Sequence, residues 1–152
     1  MEASDTSGVS DRAPFREGFL DGDLRDLASL VLVGSRCLDC KVALFGERRR
    51  CENCSSARVK RQTFASSGTV YSYTIQRHPP PPPNACEGSW TPRPLAWIDL
   101  DRRGPRILAP VDCHPSEIII GSRVSLRGRI GWIDSSNAEI VSFHFVLCER
   151  AS

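Results

Sequence analysis

The amino-acid sequence reads as mainly β, with a small metal-binding ribbon ahead of a small barrel. Two Cys-x-x-Cys pairs stand close together in its first third. After Ser66-Ser67-Gly68, short segments rich in β-branched and aromatic residues alternate with turn sequences. Apolar runs are short, and the longest, Leu27–Gly34, falls well below the ~20 residues that span a bilayer. A chain of 152 residues allows one compact domain or two very small ones, not a multidomain enzyme. Its 40% hydrophobic and 25% charged residues mark ordinary globular material.

The first residues, 1–13, are polar and acidic and read as a disordered lead-in. They carry neither a basic start nor an apolar stretch of the kind that directs export, so a cytoplasmic protein is expected. From Pro14 onward, Phe15, Phe19, Leu20, Leu24, Leu27 and Leu30 have spacings that suit one or two short helices over 14–35, interrupted at Asp21-Gly22. A single short helix cannot bury its stripe alone, so this segment is expected to pack on the rest of the chain or on a partner.

Residues 36–62 hold Cys37-Leu-Asp-Cys40 and Cys51-Glu-Asn-Cys54, with ten residues between the pairs. Each pair can fold into a tight knuckle with both thiolates facing one point. Two knuckles then close a four-sulfur shell around Zn²⁺ with bonds of about 2.3 Å. A disulfide framework would need an oxidising compartment, and a redox motif would account for one pair rather than two. Structural zinc on Cys37, Cys40, Cys51 and Cys54, in a rubredoxin-like ribbon, is therefore the reading taken. A closed shell leaves no position for water, so the metal is expected to hold the fold and perform no chemistry.

Residues 63–152 are expected to form a barrel. Thr69–Gln76, Leu95–Leu100, Arg106–Val111, Arg123–Ile133 and Glu139–Cys148 read as five strands, with turns at Asp101-Arg-Arg-Gly-Pro105 and Asp134-Ser-Ser-Asn137. A short helical connection is expected at Pro115–Ile120. Five strands with a link after the third favour a Greek-key barrel of the OB type. An insertion over 78–94 contains five successive prolines, Pro79 to Pro83, which impose a stiff extended segment. It reads as a strap across the surface or as a Pro-rich ligand for another protein.

Cys86, Cys113 and Cys148 are left over and read as small buried hydrophobes or idle thiols. Neighbours on an extended chain point to opposite faces, so His114 is badly placed to deprotonate Cys113. Charge is uneven: residues 1–35 carry −4, residues 36–61 carry +5 and the remainder +1. Eighteen of the 20 basic residues are arginine, whose planar fork suits phosphate and carboxylate. Arg48, Arg49, Arg50, Arg58 and Arg61 are the candidates for contact with phosphate groups or an acidic partner surface.

Phe15-Arg-Glu-Gly-Phe19, the paired Cys-x-x-Cys, Gly68-Thr-Val-Tyr-Ser-Tyr-Thr74 and Asp112-Cys-His-Pro-Ser-Glu117 occur in that order. Over residues 14 to 149 the chain resembles the acyl-CoA-associated zinc-ribbon/OB-fold family, long labelled a domain of unknown function. The resemblance implies a subunit without catalytic machinery of its own. It would act beside a thiolase-like or hydratase-like acyl-CoA enzyme, in aromatic-compound or sterol side-chain degradation. It also implies a ribbon that meets the partner and a barrel that helps shape the acyl-CoA channel. Where family members often carry proline before the second Cys-x-x-Cys, this chain has Glu47-Arg-Arg-Arg50, and its polyproline insertion is longer. The expected protein is a hetero-oligomeric accessory subunit with structural zinc, contacting a CoA ester in the complex. The alternative is a single-stranded nucleic-acid binder, since ribbons and OB barrels both serve that purpose.

Overall fold

The computed structural model describes residues 11–81 and 90–148. Ten strands run in chain order: β1 (Arg12–Pro14), β2 (Leu20–Asp21), β3 (Val31–Cys37), β4 (Ala43–Phe45), β5 (Val59–Thr63), β6 (Ser67–Gln76), β7 (Arg93–Leu100), β8 (Arg106–Pro110), β9 (Arg123–Ile133) and β10 (Glu139–Leu147). They form two sheets. In the smaller, β3 pairs antiparallel with β2, β4 and β5. In the larger, the order is β1-β10-β9-β6-β7-β8.

The larger sheet closes on itself. Strand β6 pairs with both β7 and β9, β7 with β8, and β9 with β10. The ring is completed by a parallel bridge between Val111 and Phe145, reinforced where the Asp112 amide donates to the Phe145 carbonyl at 2.7 Å. This is a five-stranded barrel in OB order, which closure rids of most free edges. Alternation fills it: Val70, Ala96, Ile98, Ile107, Ala109, Val124, Leu126, Phe143 and Phe145 are buried together. A bulge in β6 at Tyr71 and another in β9 at Gly131, opposite Ile140–Val141, bend the strands for closure.

The fold class stands as mainly β, and all five barrel segments form strands. Two helical expectations do not hold. Over 14–35 the chain makes β1, β2, a single 3-10 turn at Leu27–Ser29 and the start of β3. Gly18 and Gly22 take φ of +84° and +111°, which breaks any helix through them. Asp26 caps the 3-10 turn, and Leu30 is already extended where the β-branched Val31 and Val33 follow. Arg12 and Ala13, read as lead-in, are paired to β10, with Arg12 Nε 3.0 Å from Glu139 Oε1. Pro115–Ile120 is likewise not a helix but a turn, closed by the Glu117 amide on the His114 carbonyl. Residues 1–10, Pro82–Ser89 and 149–152 lie outside the described residues, and with them Pro82 and Pro83 of the polyproline run and Cys86.

Phenylalanines weld the two sheets together. The rings of Phe15, Phe19, Phe45, Phe143 and Phe145 stand in a chain of edge-on contacts, with Phe15 tilted against Phe143, at centroid spacings of 4.7 to 6.1 Å. Leu32 of the small sheet is buried in the same core as the barrel residues. Close approach is secured at Gly34, where a Cβ would stand 2.0 Å from the Leu44 carbonyl oxygen and 2.6 Å from the Phe64 ring.

Candidate metal centre and barrel groove

Both cysteine pairs are delivered by the same local device. In the first, the Lys41 amide donates to the Cys37 carbonyl at 3.1 Å and the Cys40 amide to Cys37 Sγ at 3.4 Å. In the second, the Ser55 amide donates to the Cys51 carbonyl at 2.9 Å and the Asn53 amide to Cys51 Sγ at 3.3 Å. The residue after each pair, Lys41 and Ser55, turns through the left-handed region with φ of 68° and 66°. That reversal carries the chain away from each knuckle, and it uses no glycine.

All four sulfurs lie within 4.8 Å of one another. Cys37 Sγ to Cys54 Sγ and Cys40 Sγ to Cys51 Sγ are each 3.6 Å. A tetrahedron with metal–sulfur bonds of about 2.3 Å has edges of about 3.8 Å, so the shell fits one ion. Electrostatics point the same way. The Asn53 side-chain amide, with the Val42 amide, holds Cys40 down to about 6. The Cys40 amide, with that of Asp39, holds Cys37 below the usual thiol range. For Cys54, the Ser56 amide favours the thiolate, but burial and the three neighbouring sulfurs outweigh it and push the thiol up to about 12. Four sulfurs this close cannot all ionise without a cation among them. The cluster can hold a metal ion, and its all-thiolate donors suit zinc or iron.

The five arginines expected to meet CoA or a partner sit on the exposed ribbon face, but four are engaged within the chain. Arg48 pairs with Glu52 at 3.0 Å and caps the Phe45 carbonyl. Arg50 donates to the Ser55 carbonyl at 3.1 Å, and Arg58 pairs with Asp39. Arg61 lies between Asp21 at 3.2 Å and Glu47 at 3.7 Å. Arg49 alone of the five makes no side-chain hydrogen bond or ion pair among the described residues.

A second feature escaped sequence reasoning. A groove of about 380 Å³ opens between the barrel and the Phe15 and Phe45 side of the small sheet. Its lining is mainly apolar, and its polar side chains are Gln76, Arg93, Arg129 and Ser142. Cross-strand register couples them, Gln76 opposite Arg93 and Ser142 opposite Arg129. Burial, then repulsion by Arg93, drives the Arg129 guanidinium below its ordinary value. Burial and Arg129 do the same to His144. No local sequence signal marks these residues, because each arginine is one of eighteen.

Of the leftover thiols, Cys113 packs partly buried against the barrel core. Burial, then the Glu117 and Asp112 charges, pushes Cys113 up, away from the thiolate. His114 Nδ1 instead meets Ser116 Oγ at 2.7 Å.

Exposed side chains of β7 and β8 form a ladder beside the groove, and Leu108 belongs to both. Trp97 lies opposite Leu108 and Asp99 opposite Arg106. Trp97 is 44% exposed and Leu108 46%, with Tyr71 and Tyr73 exposed on the neighbouring β6.

Among known proteins, residues 62–129 match the family model of the ChsH2 C-terminal OB-fold domain. A DUF35 domain-containing scaffold protein of Pyrococcus furiosus is 34% identical over 64% of this chain and 68% of its own. A second scaffold protein of that description, from Methanothermobacter thermautotrophicus, is 29% identical over 62% and 69%. Among solved structures, a chain of the Ltp2-ChsH2(DUF35) aldolase matches with a TM-score of 0.57 and 28% identity, covering 77% of this chain and 84% of that one. No helix among the described residues is long and apolar enough to cross a membrane. The ribbon cysteines, the OB barrel and these likenesses converge: the chain belongs to the DUF35 domain-containing family, whose matched relatives are named scaffold proteins.

Proposed function

We propose that this chain is a non-catalytic accessory subunit of a cytoplasmic thiolase-like acyl-CoA enzyme, with structural zinc on Cys37, Cys40, Cys51 and Cys54. One observation carries the reading: a similar DUF35 chain is part of an aldolase assembly, and the likeness extends over 77% of this chain. A scaffold needs a docking face, and the Trp97–Leu108 ladder supplies a candidate. Aromatic and arginine side chains are over-represented at interface centres, and an exposed Trp beside Leu and Arg106 has that character. Docked there, the barrel would help shape the partner's acyl-CoA site, in aromatic-compound or sterol side-chain degradation. Arg49 remains available for CoA phosphates or an acidic partner surface.

The test is enzymatic and uses the partner's activity. Adding this chain to the acyl-CoA enzyme should lower its KM for acyl-CoA or raise its kcat. Trp97→Asp with Leu108→Asp should abolish that effect while leaving metal content and melting temperature in place. No effect of the wild-type chain on any thiolase-like enzyme of the same genome would refute the reading. Single-strand binding is the weaker alternative. The Arg106 guanidinium lies 3.4 Å over the Tyr71 ring and pairs with Asp99 at 2.6 Å, so that ring face is already covered where a base would stack.

A further inference from the structure

We propose that the barrel groove binds a small amphipathic oxyanion, its head group held by Arg93 and Arg129 and its tail lying on Phe15, Phe45, Leu95 and Leu108. Arg93 Nε and Arg129 Nε are both buried without a hydrogen-bond partner. Neither guanidinium forms an ion pair among the described residues, whereas Arg12, Arg48, Arg58, Arg61, Arg106 and Arg123 each do. A buried, unpaired donor on a charged group is costly, and native proteins satisfy nearly all of them. Two such groups close enough to repel each other are costlier still. Asp112, the acid whose charge acts on Arg129, has a side chain 78% exposed and stands 3.9 Å from His144. One anion between the two guanidinium forks would accept from their N–H groups that face the groove and cancel the repulsion.

The surroundings define the ligand further. Arg93 is held in place by the Trp90 ring, 4.7 Å from its guanidinium, while Trp90 Nε1 donates to the Gln76 carbonyl at 3.0 Å. The fork is therefore pre-organised, which lowers the entropy lost on binding. Guanidinium forks match the two oxygens of a carboxylate or phosphate, and Gln76 and Ser142 add hydrogen-bonding groups beside them. The remaining lining is apolar and aromatic. A volume of about 380 Å³ holds about a dozen groups of water size, enough for a head and a medium-length tail. The groove's lining comes from this chain, and only Leu108 is shared with the docking face proposed above, so titration of the chain without any partner lets the two readings fail separately.

The full-length, metal-loaded chain is titrated by calorimetry with decanoate, decyl phosphate and decanol, and by the fluorescence of Trp132, which lines the groove. Saturable one-to-one binding of decanoate or decyl phosphate is expected, at least tenfold tighter than decanol. The ratio of the two anions identifies the preferred head group. Arg129→Gln and Arg93→Gln should each weaken binding tenfold or more, with Arg129→Lys intermediate because it keeps charge but loses the fork. Decanol binding as tightly as both anions, no saturable binding by either anion, or unchanged affinity in both glutamine variants would overturn the proposal. Should a variant unfold, the anion-to-decanol ratio on the wild-type chain decides alone.

Discussion

Phe143→Ala should cost about 3–5 kcal/mol of stability, the range for a buried phenylalanine removed from a core. Phe143 is only 8% exposed, and its ring stands 5.8 Å from Phe15, 6.0 Å from Phe45 and 6.1 Å from Phe145. Transfer of the side chain out of water accounts for about 1.5–3 kcal/mol. Each edge-on ring contact adds about 0.5–1.5 kcal/mol, and the partly open groove beside it limits the cavity term. A chain this size loses roughly 2–4 °C of melting temperature per kcal/mol, so a drop on the order of 10 °C is expected. The assay is urea unfolding monitored by tryptophan fluorescence, with Ile133→Ala as control because Ile133 is 60% exposed. The control should change by less than about 0.5 kcal/mol. Combined with Phe45→Ala, the cycle should show positive coupling of about 0.5–1.5 kcal/mol, since the pair joins the ribbon to the barrel. A loss below about 1 kcal/mol, or additive effects of the two alanines, would refute the weld between the sheets.

Other perturbations reach the remaining parts. One metal ion per chain should be found by mass spectrometry, as zinc, and Cys40→Ser or a strong chelator should unfold the ribbon, because structural zinc contributes about 10–16 kcal/mol in small peptides; iron in its place would contradict the zinc assignment. Gly34→Val should prevent folding to the native state, read as loss of near-ultraviolet circular dichroism, since its Cβ meets the Leu44 carbonyl at 2.0 Å. Arg123, then the Ser67 hydroxyl, holds Asp101 down to about 2, so the contact is fully stabilising above the ordinary carboxylate value near pH 4 and is lost as pH falls through 2. Asp101→Asn should therefore cost about 0.5–1 kcal/mol at neutral pH, discounted for its exposure, and flatten the acid limb of the stability curve.

How much of this was legible depended on whether the signal was local. The barrel strands were found to within about two residues at their ends, because period-two alternation and turns such as Asp134–Asn137 are local statements. The metal shell was legible for the same reason, its spacing being fixed by knuckle geometry. The N-terminal segment was misread as helical because Phe15, Phe19, Leu24 and Leu27 mimic a helical stripe. Their spacing instead serves a chain of edge-on rings and a 3-10 turn packed tightly on Gly128 of β9. Arg48 to Arg61 were visible as charge, yet charge alone does not say which arginines a neighbouring acid already holds. The Arg93–Arg129 pair was invisible, since residues far apart in sequence are brought together only by barrel closure.

The central claim is that this chain works as a docked subunit. Light scattering coupled to size-exclusion chromatography tests it most directly, on this chain co-expressed with the thiolase-like acyl-CoA enzyme of the same genome. The account predicts one species of fixed stoichiometry carrying both polypeptides and the ribbon metal, dispersed by Trp97→Asp with Leu108→Asp. Elution of this chain alone, at its own 16.8 kDa or as a self-assembly, would contradict it.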